Sequence, residues 1–285
     1  MGASLYFLLV RRVPPVDSPV LVEVFDILRR RGFGVETGIA EEMVVRADLL
    51  DVTHDLYVVK SHTELTLSLA GTLHGQGARL LNPYAACLAA QDKITACRRL
   101  RAAGLPAPRS WVTGDLTLLT PHLADGPLII KPHRGHRGAG IHVVRDAVEL
   151  AAVPPSPVPV IVQDFVRGPG EDLKVYVIGA HVFGTRKRFS PTSFTRAGVA
   201  CAVSEEVRRI ALRCGEVFGL GLYGLDLIES PDGPVVVDVN YFPGYKGVPG
   251  AAPLIADYIA DYADGRHALP GDPPALPASA ATAAG

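Results

Sequence analysis

The spacing of hydrophobic and polar residues changes along this chain, and each spacing predicts a different element. Two short apolar runs, at residues 5–10 and 55–60, are typical of buried strands. Each run is followed by a stretch with apolar residues at helical spacing, over residues 18–31 and 64–74. Strands that alternate with helices predict a parallel sheet, and we therefore expect a small α/β domain over residues 1–85.

Two further units follow in the pattern. A helix that begins at Asp92 and stops at Gly104 opens a central unit over residues 86–168, because Asp favours the start of a helix and Gly its end. A third unit covers residues 169–265, and the Ala/Pro/Gly-rich tail over residues 266–285 is expected to be disordered. The predicted strands of these units are residues 109–113, 127–132, 140–144, 159–166, 173–179, 180–188, 222–230 and 235–240, and the predicted helices are residues 92–103, 204–218 and 253–262.

The composition excludes several classes of partner. The chain has 285 residues, of which 48% are hydrophobic and 20% charged, as in a folded globular protein. A net charge of −1 without a long basic run gives no attraction for nucleic acid. The apolar run near the N-terminus is too short to span a membrane. Four cysteines without C-x-x-C spacing indicate reduced thiols, so we expect a cytoplasmic protein, with a symmetric homodimer as the default assembly.

An acidic hairpin near the C-terminus predicts a metal site. The last two predicted strands are joined by a Pro-Asp-Gly turn, and we expect Ser230 to face Pro234 across it. Counting back from this pair places Asp226 directly opposite Asp238. Asn240 lies on the same face as Asp238, because side chains repeat every second residue along a strand. Two carboxylates and an amide oxygen suit Mg²⁺. The alternative is one solvated carboxylate at a strand edge and one that caps a turn.

A glycine-rich loop follows the predicted strand that ends near Lys131. The sequence His-Arg-Gly-His-Arg-Gly-Ala-Gly over residues 133–140 lets backbone N–H groups approach a phosphate, while the lysine supplies a positive charge. Its spacing matches neither a Walker loop nor a dinucleotide-binding loop, and a plain glycine-rich hairpin is an equal alternative. Residues 162–166 end the next strand as an apolar run with a short polar interruption, which suits an adenine pocket.

Taken together, these parts resemble the ATP-grasp superfamily. The resemblance covers roughly residues 1–265 and implies an α/β (α+β) ATP-grasp fold of three subdomains, with Mg-ATP between the central and the C-terminal ones. It rests on Asp92-Lys93, the strand and glycine loop at 129–140, Gln-Asp-Phe-Val at 163–166, residues 173–179, and the acidic hairpin with the segment that follows it to residue 247.

The same resemblance implies roles for individual residues. The residues that would bind ATP are Lys93, Lys131, Gly135, Gly138, Gly140, Gln163, Asp164, Phe165 and Asp172. Those that would bind Mg²⁺, or Mn²⁺ as an alternative, are Asp226, Asp238 and Asn240. Those that would contact the substrate are Arg11, Lys60, Lys187, Asn240 and Gly244.

Two branches of the superfamily share features with the chain. RimK-type carboxylate–amine ligases are similar at the glycine loop and around Arg196, which would stabilise the charge that develops during acyl transfer, with Lys174 as a second catalytic group. Inositol-trisphosphate kinases are similar at Lys60 and His136, and there His136 would contact phosphates. We expect a ligase that activates a small-molecule or peptide carboxylate as an acyl phosphate and joins it to an amine. The alternative is a kinase that phosphorylates a hydroxyl of an anionic small molecule.

Overall fold

The N-terminal part of the chain forms a four-stranded parallel sheet, as the alternation of strands and helices predicts. The computed structural model describes residues 2–11, 18–135, 139–188 and 198–270. The elements of this region are β1 (Ser4–Leu9), α1 (Pro19–Arg30), β2 (Gly34–Ile39), two single turns of 3-10 helix (Ala40–Glu42 and Ala47–Leu49), β3 (Leu56–Val59), α2 (Glu64–Gly75) and β4 (Leu80–Leu81). The strands lie in the order β2-β1-β3-β4, and the sequence pattern had predicted β1 and β3 but neither edge strand.

Two consecutive helices connect this sheet to the rest of the molecule. They are α3 (Tyr84–Gln91) and α4 (Lys93–Ala102). Asp92 lies between them and accepts hydrogen bonds from the backbone N–H groups of Ile94 and Thr95, both at 3.0 Å. This cap confirms the predicted start of the second helix. Buried residues of both helices belong to the hydrophobic core of the N-terminal and C-terminal sheets, so the placement of the first domain boundary between residues 85 and 86 stays a prediction.

The central part of the chain forms an antiparallel sheet with its own small core. Its elements are β5 (Ser110–Val112), a 3-10 helix (Leu116–Asp125), β6 (Leu128–Pro132), β7 (His142–Val144), α5 (Ala147–Ala151) and β8 (Val160–Asp164). The strands lie in the order β5-β8-β6-β7, and the helices cover one face of the sheet. The buried core between them consists of Leu119, Leu128, Ile130, Val144, Leu150, Val160 and Val162. The side chains of Lys131, Ile161 and Gln163 are buried on the opposite face.

A five-stranded antiparallel sheet completes the described fold. Its elements are β9 (Glu171–Ile178), β10 (His181–Arg188), β11 (Val199–Cys201), α6 (Glu205–Phe218), β12 (Leu222–Ser230), β13 (Gly233–Tyr241) and α7 (Ala251–Ala263). The strands lie in the order β11-β10-β9-β12-β13. Leu225, Leu227 and Val239 point into the large core, and Asp226 and Asp238 therefore lie on the other face. One cavity is lined both by Gln163 of the central sheet and by Asp238, so the uncovered faces of the two sheets meet there.

The last hairpin pairs as predicted at its carboxylates but not at its turn. Asp226 lies opposite Asp238, whereas Ser230 pairs with Gly233 and not with Pro234. A β-bulge beside Asp226 adds one residue to β13 and shifts the register back into step. The turn is therefore one residue tighter than the sequence analysis assumed, and the two carboxylates still face each other.

Three other expectations concern the whole chain. Within the described ranges, no helix combines the length and the apolar character needed to cross a bilayer. The four cysteines are free thiols, and three of them are buried. Of the predicted tail, residues 266–270 are described, with Arg266 paired to Asp261 and Asp264, and residues 271–285 lie outside the described residues.

Candidate active site

A row of charged side chains crosses the open face of the C-terminal sheet. Neighbouring strands place Asp238, Asp226 and Lys174 side by side. Lys174 Nζ donates to Asp226 Oδ1 at 2.7 Å, and Lys93 Nζ, from the first turn of α4, donates to Asp238 Oδ1 at 2.8 Å. Like charges that face each other across a ladder are unfavourable. Each carboxylate is therefore compensated by one lysine ammonium group.

The two ion pairs affect the pKa values of Asp238 and Lys174. Burial acts to raise the pKa of Asp238, but the ammonium groups of Lys93, Lys131 and Lys174 together outweigh it, and the pKa lies below its ordinary value. Burial acts to lower the pKa of Lys174, but its hydrogen bond to Asp226 and the negative charges of Asp226 and Asp172 together outweigh it, and this pKa lies above its ordinary value. Both shifts favour the charged form, the carboxylate of Asp238 and the ammonium group of Lys174.

The oxygen donors of the hairpin fit a hard divalent cation. Asp226, Asp238 and Asn240 share one face, and Asn240 Nδ2 lies 3.5 Å from Asp238 Oδ2. With its amide nitrogen turned toward that carboxylate, Asn240 can offer its oxygen to a metal. No cluster of three His, Cys, Asp or Glu side chains suited to a metal occurs in the described part of the chain. A donor set of two carboxylates and one amide matches Mg²⁺, which takes its other ligands from water and phosphate oxygens.

Lys131 approaches this row from the central sheet. Its side chain is 8% exposed, and its Nζ donates to Gln163 Oε1 at 3.0 Å. Burial lowers the pKa of Lys131, while the negative charges of Asp238 and Asp226 act to raise it. Lys131 and Lys93 therefore supply two positive charges beside the paired carboxylates, one from each side of the cleft. This is the arrangement that a chain of nucleotide phosphates and its metal requires.

The predicted adenine contacts occupy the end of β8. The Gln163 side chain is buried between Lys131 and Ser110 and is not turned toward the strand end. Asp164 forms an ion pair with Arg109, with Oδ2 at 2.7 Å from Nε. Phe165 is 39% exposed, and its backbone N–H donates to the carbonyl of Pro127. Adenine recognition by these residues stays a prediction.

Asp172 and Lys187 continue the charged face of the C-terminal sheet, two residues along β9 from Lys174. They lie opposite each other on β9 and β10, on the same face as Lys174. Burial, and after it the negative charge of Asp226, raises the pKa of Asp172 to about 6. Burial, followed by the positive charges of Lys174 and Lys246, lowers the pKa of Lys187. The positive charges of Lys174 and Lys246 thus act on Lys187, and an anionic ligand beside these lysines would offset their repulsion.

The start of the glycine-rich loop is fastened to the N-terminal helices. Arg134 Nη1 lies 2.9 Å from Glu64 Oε2, and Arg134 Nε lies 3.7 Å from Asp92 Oδ2. The backbone N–H of Lys93 donates to the carbonyl of His133 at 2.8 Å. No sequence signal pairs Arg134 with Glu64, because the partners are 70 positions apart.

Three predicted site residues lie in segments beyond the described part of the chain, while the glycines on either side can be placed. His136, Gly138 and Arg196 lie outside the described residues. Cβ atoms built on Gly135 and Gly140 would lie 3.3 and 3.0 Å from the Pro132 ring, so the two glycines pack against the end of β6.

The chain re-enters the described region at Gly198, close to the sheet. A Cβ on Gly198 would lie 2.7 Å from Thr185 Oγ1. Gly247 has a φ of 83°, and a Cβ there would lie 2.6 Å from the Gly198 carbonyl oxygen. The two glycines thus allow two loop backbones to touch beside β10.

The predicted substrate residues do not all gather at the cleft. Lys60 Nζ lies 5.4 Å from the centre of the Phe242 ring, next to the end of β13, which carries Asn240. Arg11 instead forms an exposed ion pair with Glu42 at 2.9 Å. Gly244 lies four residues beyond Asn240, with open space except for Lys246. Substrate contacts by these residues stay predictions.

An aromatic contact beside Lys60 was not predicted from the sequence. The ring of His62 stacks on that of Tyr241, with 4.1 Å between centroids. The hydroxyl of Tyr241 donates to the carbonyl of Ser61 at 2.7 Å and contacts Gln91 Oε1 at 2.9 Å. The loop after β3 is therefore fixed to the strand that carries the metal-ligand candidates. Only the tertiary fold brings these segments together, so no local pattern could have shown the contact.

Comparisons with known proteins identify the family of the chain. A model of the RimK-like ATP-grasp domain matches residues 90–258. The chain is 30% identical over 216 residues to a probable alpha-L-glutamate ligase of Haemophilus influenzae, with 70% of this chain and 71% of that protein covered. It is 28% identical over 223 residues to beta-citrylglutamate synthase B of Homo sapiens, with 72% and 57% covered.

A solved structure supports the fold over almost the whole chain. The RimK domain ATP-grasp protein of Sphaerobacter thermophilus matches with a TM-score of 0.73 at 19% identity, and the match covers 92% of this chain and 100% of that one. At such low identity the likeness establishes the ATP-grasp fold, while the family rests on the domain model and the sequence relatives. The chain therefore belongs to the RimK-like ATP-grasp family, and it is an ATP-grasp ligase.

Proposed function

We propose that the protein is a Mg-ATP-dependent ligase that activates the carboxylate of a small molecule or peptide as an acyl phosphate and joins it to an amine. The observation that carries the proposal is the meeting of Lys93 and Lys131 with Asp226 and Asp238 between two sheets. The glutamate ligase and citrylglutamate synthase names of the relatives support a carboxylate and an amine as the two substrates.

The chain's own residues would divide the work of phosphoryl transfer. Asp226, Asp238 and Asn240 would hold Mg²⁺, or Mn²⁺ in its place, which when bound neutralises charge on the transferred phosphoryl group. Lys93 and Lys131 would bind phosphate oxygens from opposite sides of the cleft. Because this step depends mainly on positioning and electrostatics, the buried Lys131, the partly buried Lys93 and a metal are a sufficient set.

The proposed reaction proceeds in two balanced steps. A carboxylate oxygen attacks the γ-phosphorus of ATP, the bond to the β,γ-bridging oxygen breaks, and ADP leaves. The amine then attacks the acyl carbon, the acyl C–O bond breaks with phosphate as the leaving group, and the amine nitrogen loses a proton. Arg196 is our candidate for stabilising the negative charge on the acyl oxygen in the second step. Lys187, which lies near the charges of Lys174 and Lys246, would bind an anionic group of the substrate.

Trapping with hydroxylamine tests this proposal directly. The protein is incubated with Mg-ATP and pools of carboxylic acids, and hydroxylamine takes the place of the amine. We expect a hydroxamate and ADP in equal amounts from the matching acid. Asp238→Asn should abolish both products, whereas Asp257→Asn, at an exposed ion pair with Arg31, should leave them unchanged.

A different product would overturn the assignment. A stable phosphorylated compound that forms without hydroxylamine or any amine, and that resists hydroxylamine, would show a kinase acting on a hydroxyl group.

The free state of all four cysteines supports a cytoplasmic location for the enzyme. Sedimentation of the purified chain tests the homodimer that we propose as its assembly.

A further inference from the structure

A chain of hydrogen bonds leads from Lys131 across the central sheet. Lys131 Nζ donates to Gln163 Oε1 at 3.0 Å, and Gln163 Nε2 donates to Ser110 Oγ at 3.0 Å. Ser110 Oγ in turn donates to the carbonyl of Pro108 at 3.2 Å. The sulfur of Cys97, on α4, lies 2.9 Å from the same hydroxyl oxygen. Side chains of three neighbouring strands and one helix thus meet in one line.

The direction of these hydrogen bonds is fixed by chemistry. A lysine ammonium group can only donate, so the oxygen of the Gln163 amide must face Lys131 and its nitrogen must face Ser110. The hydroxyl of Ser110 then accepts from Gln163, and its single proton is left for the Pro108 carbonyl or the Cys97 sulfur. The three groups therefore match as donor and acceptor along the line, and reversing the amide would place its N–H group against the Lys131 ammonium group.

Because Lys131 and Gln163 are both buried, the hydrogen bond between them is costly to lose. Lys131 is 8% exposed and Gln163 is 5% exposed. A buried ammonium group without an acceptor suffers a larger penalty than the gain from an ordinary hydrogen bond. Gln163 therefore determines where the Lys131 charge lies, and the remaining Nζ protons are left for groups in the cleft.

We propose that Gln163 is a positioning residue that holds the Lys131 ammonium group for the phosphates, in place of a direct side-chain contact with adenine. The inference rests on the proposed nucleotide site and goes beyond it, since it assigns Gln163 to the triphosphate end of the ligand. Ser110 supports Gln163 from behind and acts only through it. Loss of Gln163 should therefore lower the affinity for ligands that carry phosphates. It should leave the preference between adenine and guanine unchanged.

Binding measurements with nucleotide analogues separate the two roles. Wild-type protein, Gln163→Leu, Ser110→Ala and the double variant are titrated with AMPPNP, GMPPNP and adenosine in the presence of Mg²⁺. We expect Gln163→Leu to lower the affinities for AMPPNP and GMPPNP by the same factor, about tenfold. The affinity for adenosine should change less than about twofold. Ser110→Ala should lower the affinity for AMPPNP by a smaller factor. In the double variant it should cause no loss of affinity beyond that of Gln163→Leu alone. Gln76→Leu, at an exposed helix end, is the matched control and should change no affinity.

The opposite pattern would overturn the inference. If Gln163→Leu weakens adenosine as much as AMPPNP and removes the preference of the protein for AMPPNP over GMPPNP, the side chain contacts the base. Should Gln163→Leu not fold, as judged by its melting temperature, Ser110→Ala alone decides between the same two patterns. A wild-type protein that binds no nucleotide would overturn the proposed function as well, which distinguishes the two failures.

Discussion

The ion pair between Lys93 and Asp238 allows a direct test of the charge balance in the cleft. The two atoms lie 2.8 Å apart, and the side chains are 16% and 23% exposed. Replacing Lys93 with Met keeps much of the side-chain volume but leaves Asp238 opposite Asp226 without its own ammonium group. We therefore expect Lys93→Met to lower the free energy of unfolding in the absence of nucleotide and metal.

The size of the loss follows from the burial of the pair. Removing one partner of a fully buried pair costs about 3–5 kcal/mol, and exposed pairs contribute about 0–1 kcal/mol. Lys131 and Lys174 still act on Asp238 in the variant, which reduces the loss. We place it at about 2 kcal/mol at pH 7 for this partly exposed pair. Arg145→Met breaks an exposed pair with Glu149 and should cost less than about 0.5 kcal/mol.

The loss should also depend on pH in a defined direction. Because the pKa of Asp238 in the folded protein lies below 3.8, the stabilisation by Lys93 is fully present above pH 3.8 and disappears as the pH falls through the folded pKa. Lys93→Met raises that pKa, so the two proteins should converge in stability in acid.

Urea unfolding measures the coupling energy between the two side chains. It is carried out on the wild type, Lys93→Met, Asp238→Asn and the double variant. We expect a coupling energy of at least about 1 kcal/mol at pH 7. Additive effects of the two substitutions, or an equal loss for Lys93→Met at pH 7 and in acid, would refute the ion pair as the source of the stability. In the same series, Lys93→Met should bind Mn²⁺ more tightly in the absence of nucleotide, because the ammonium group no longer competes for the Asp238 oxygen.

Two further substitutions, the second with a control at Gly75, test single features of the structure. Asp172→Asn should be more stable than the wild type at pH 8, because ionisation of a carboxyl with a pKa of about 6 costs stability as the pH rises through that value. Thermal unfolding should show the advantage shrink as the pH falls from 6 toward 4, and an advantage independent of pH would contradict the cause. Gly247→Ala should lower the free energy of unfolding by about 1–3 kcal/mol, since φ is 83° and the new Cβ would lie 2.6 Å from the Gly198 carbonyl oxygen. Gly75→Ala, in a helix with open space around it, should stabilise the protein by about 0.5–1 kcal/mol, and equal effects of the two substitutions would contradict the proposed contact.

Strong periodicity in the sequence was enough to predict most of the large elements. Helix α6 has apolar residues on one stripe, a Ser204 cap and a left-handed Gly219 at its end, and it occurs where predicted. Helix α3 was missed because its sequence, rich in Ala, has no polar face to define a period, and it is largely buried. Strand β2 was missed because its residues are mostly polar or small and only half-buried at the sheet edge.

The site was predictable to the extent that its residues share one hairpin. Asp226 and Asp238 could be paired by counting along two adjacent strands. The contact of Lys174 with Asp226 joins residues 52 positions apart and depends on β9 lying beside β12, which no local pattern specifies. The same holds for Gln163, whose neighbour on β5 is 53 positions away. A residue such as Gln163, which acts by positioning another side chain, cannot be recognised from the spacing of residues in the sequence.

The bulge in β13 explains why the carboxylate pair survives an error in the predicted turn. With Ser230 opposite Gly233, an unbroken ladder would place Asp226 opposite Val237 and turn Asp238 out of register with it. One extra residue in β13 restores the pair, and it also leaves Val237 beside the cavity shared with Lys93 and Gln163. Bulges bend a strand and aim a side chain in a new direction. Here the bulge brings Asp238 to the row of Asp226 and Lys174, and the charged face of the cleft depends on that local shift more than on the regular pairing of the strands.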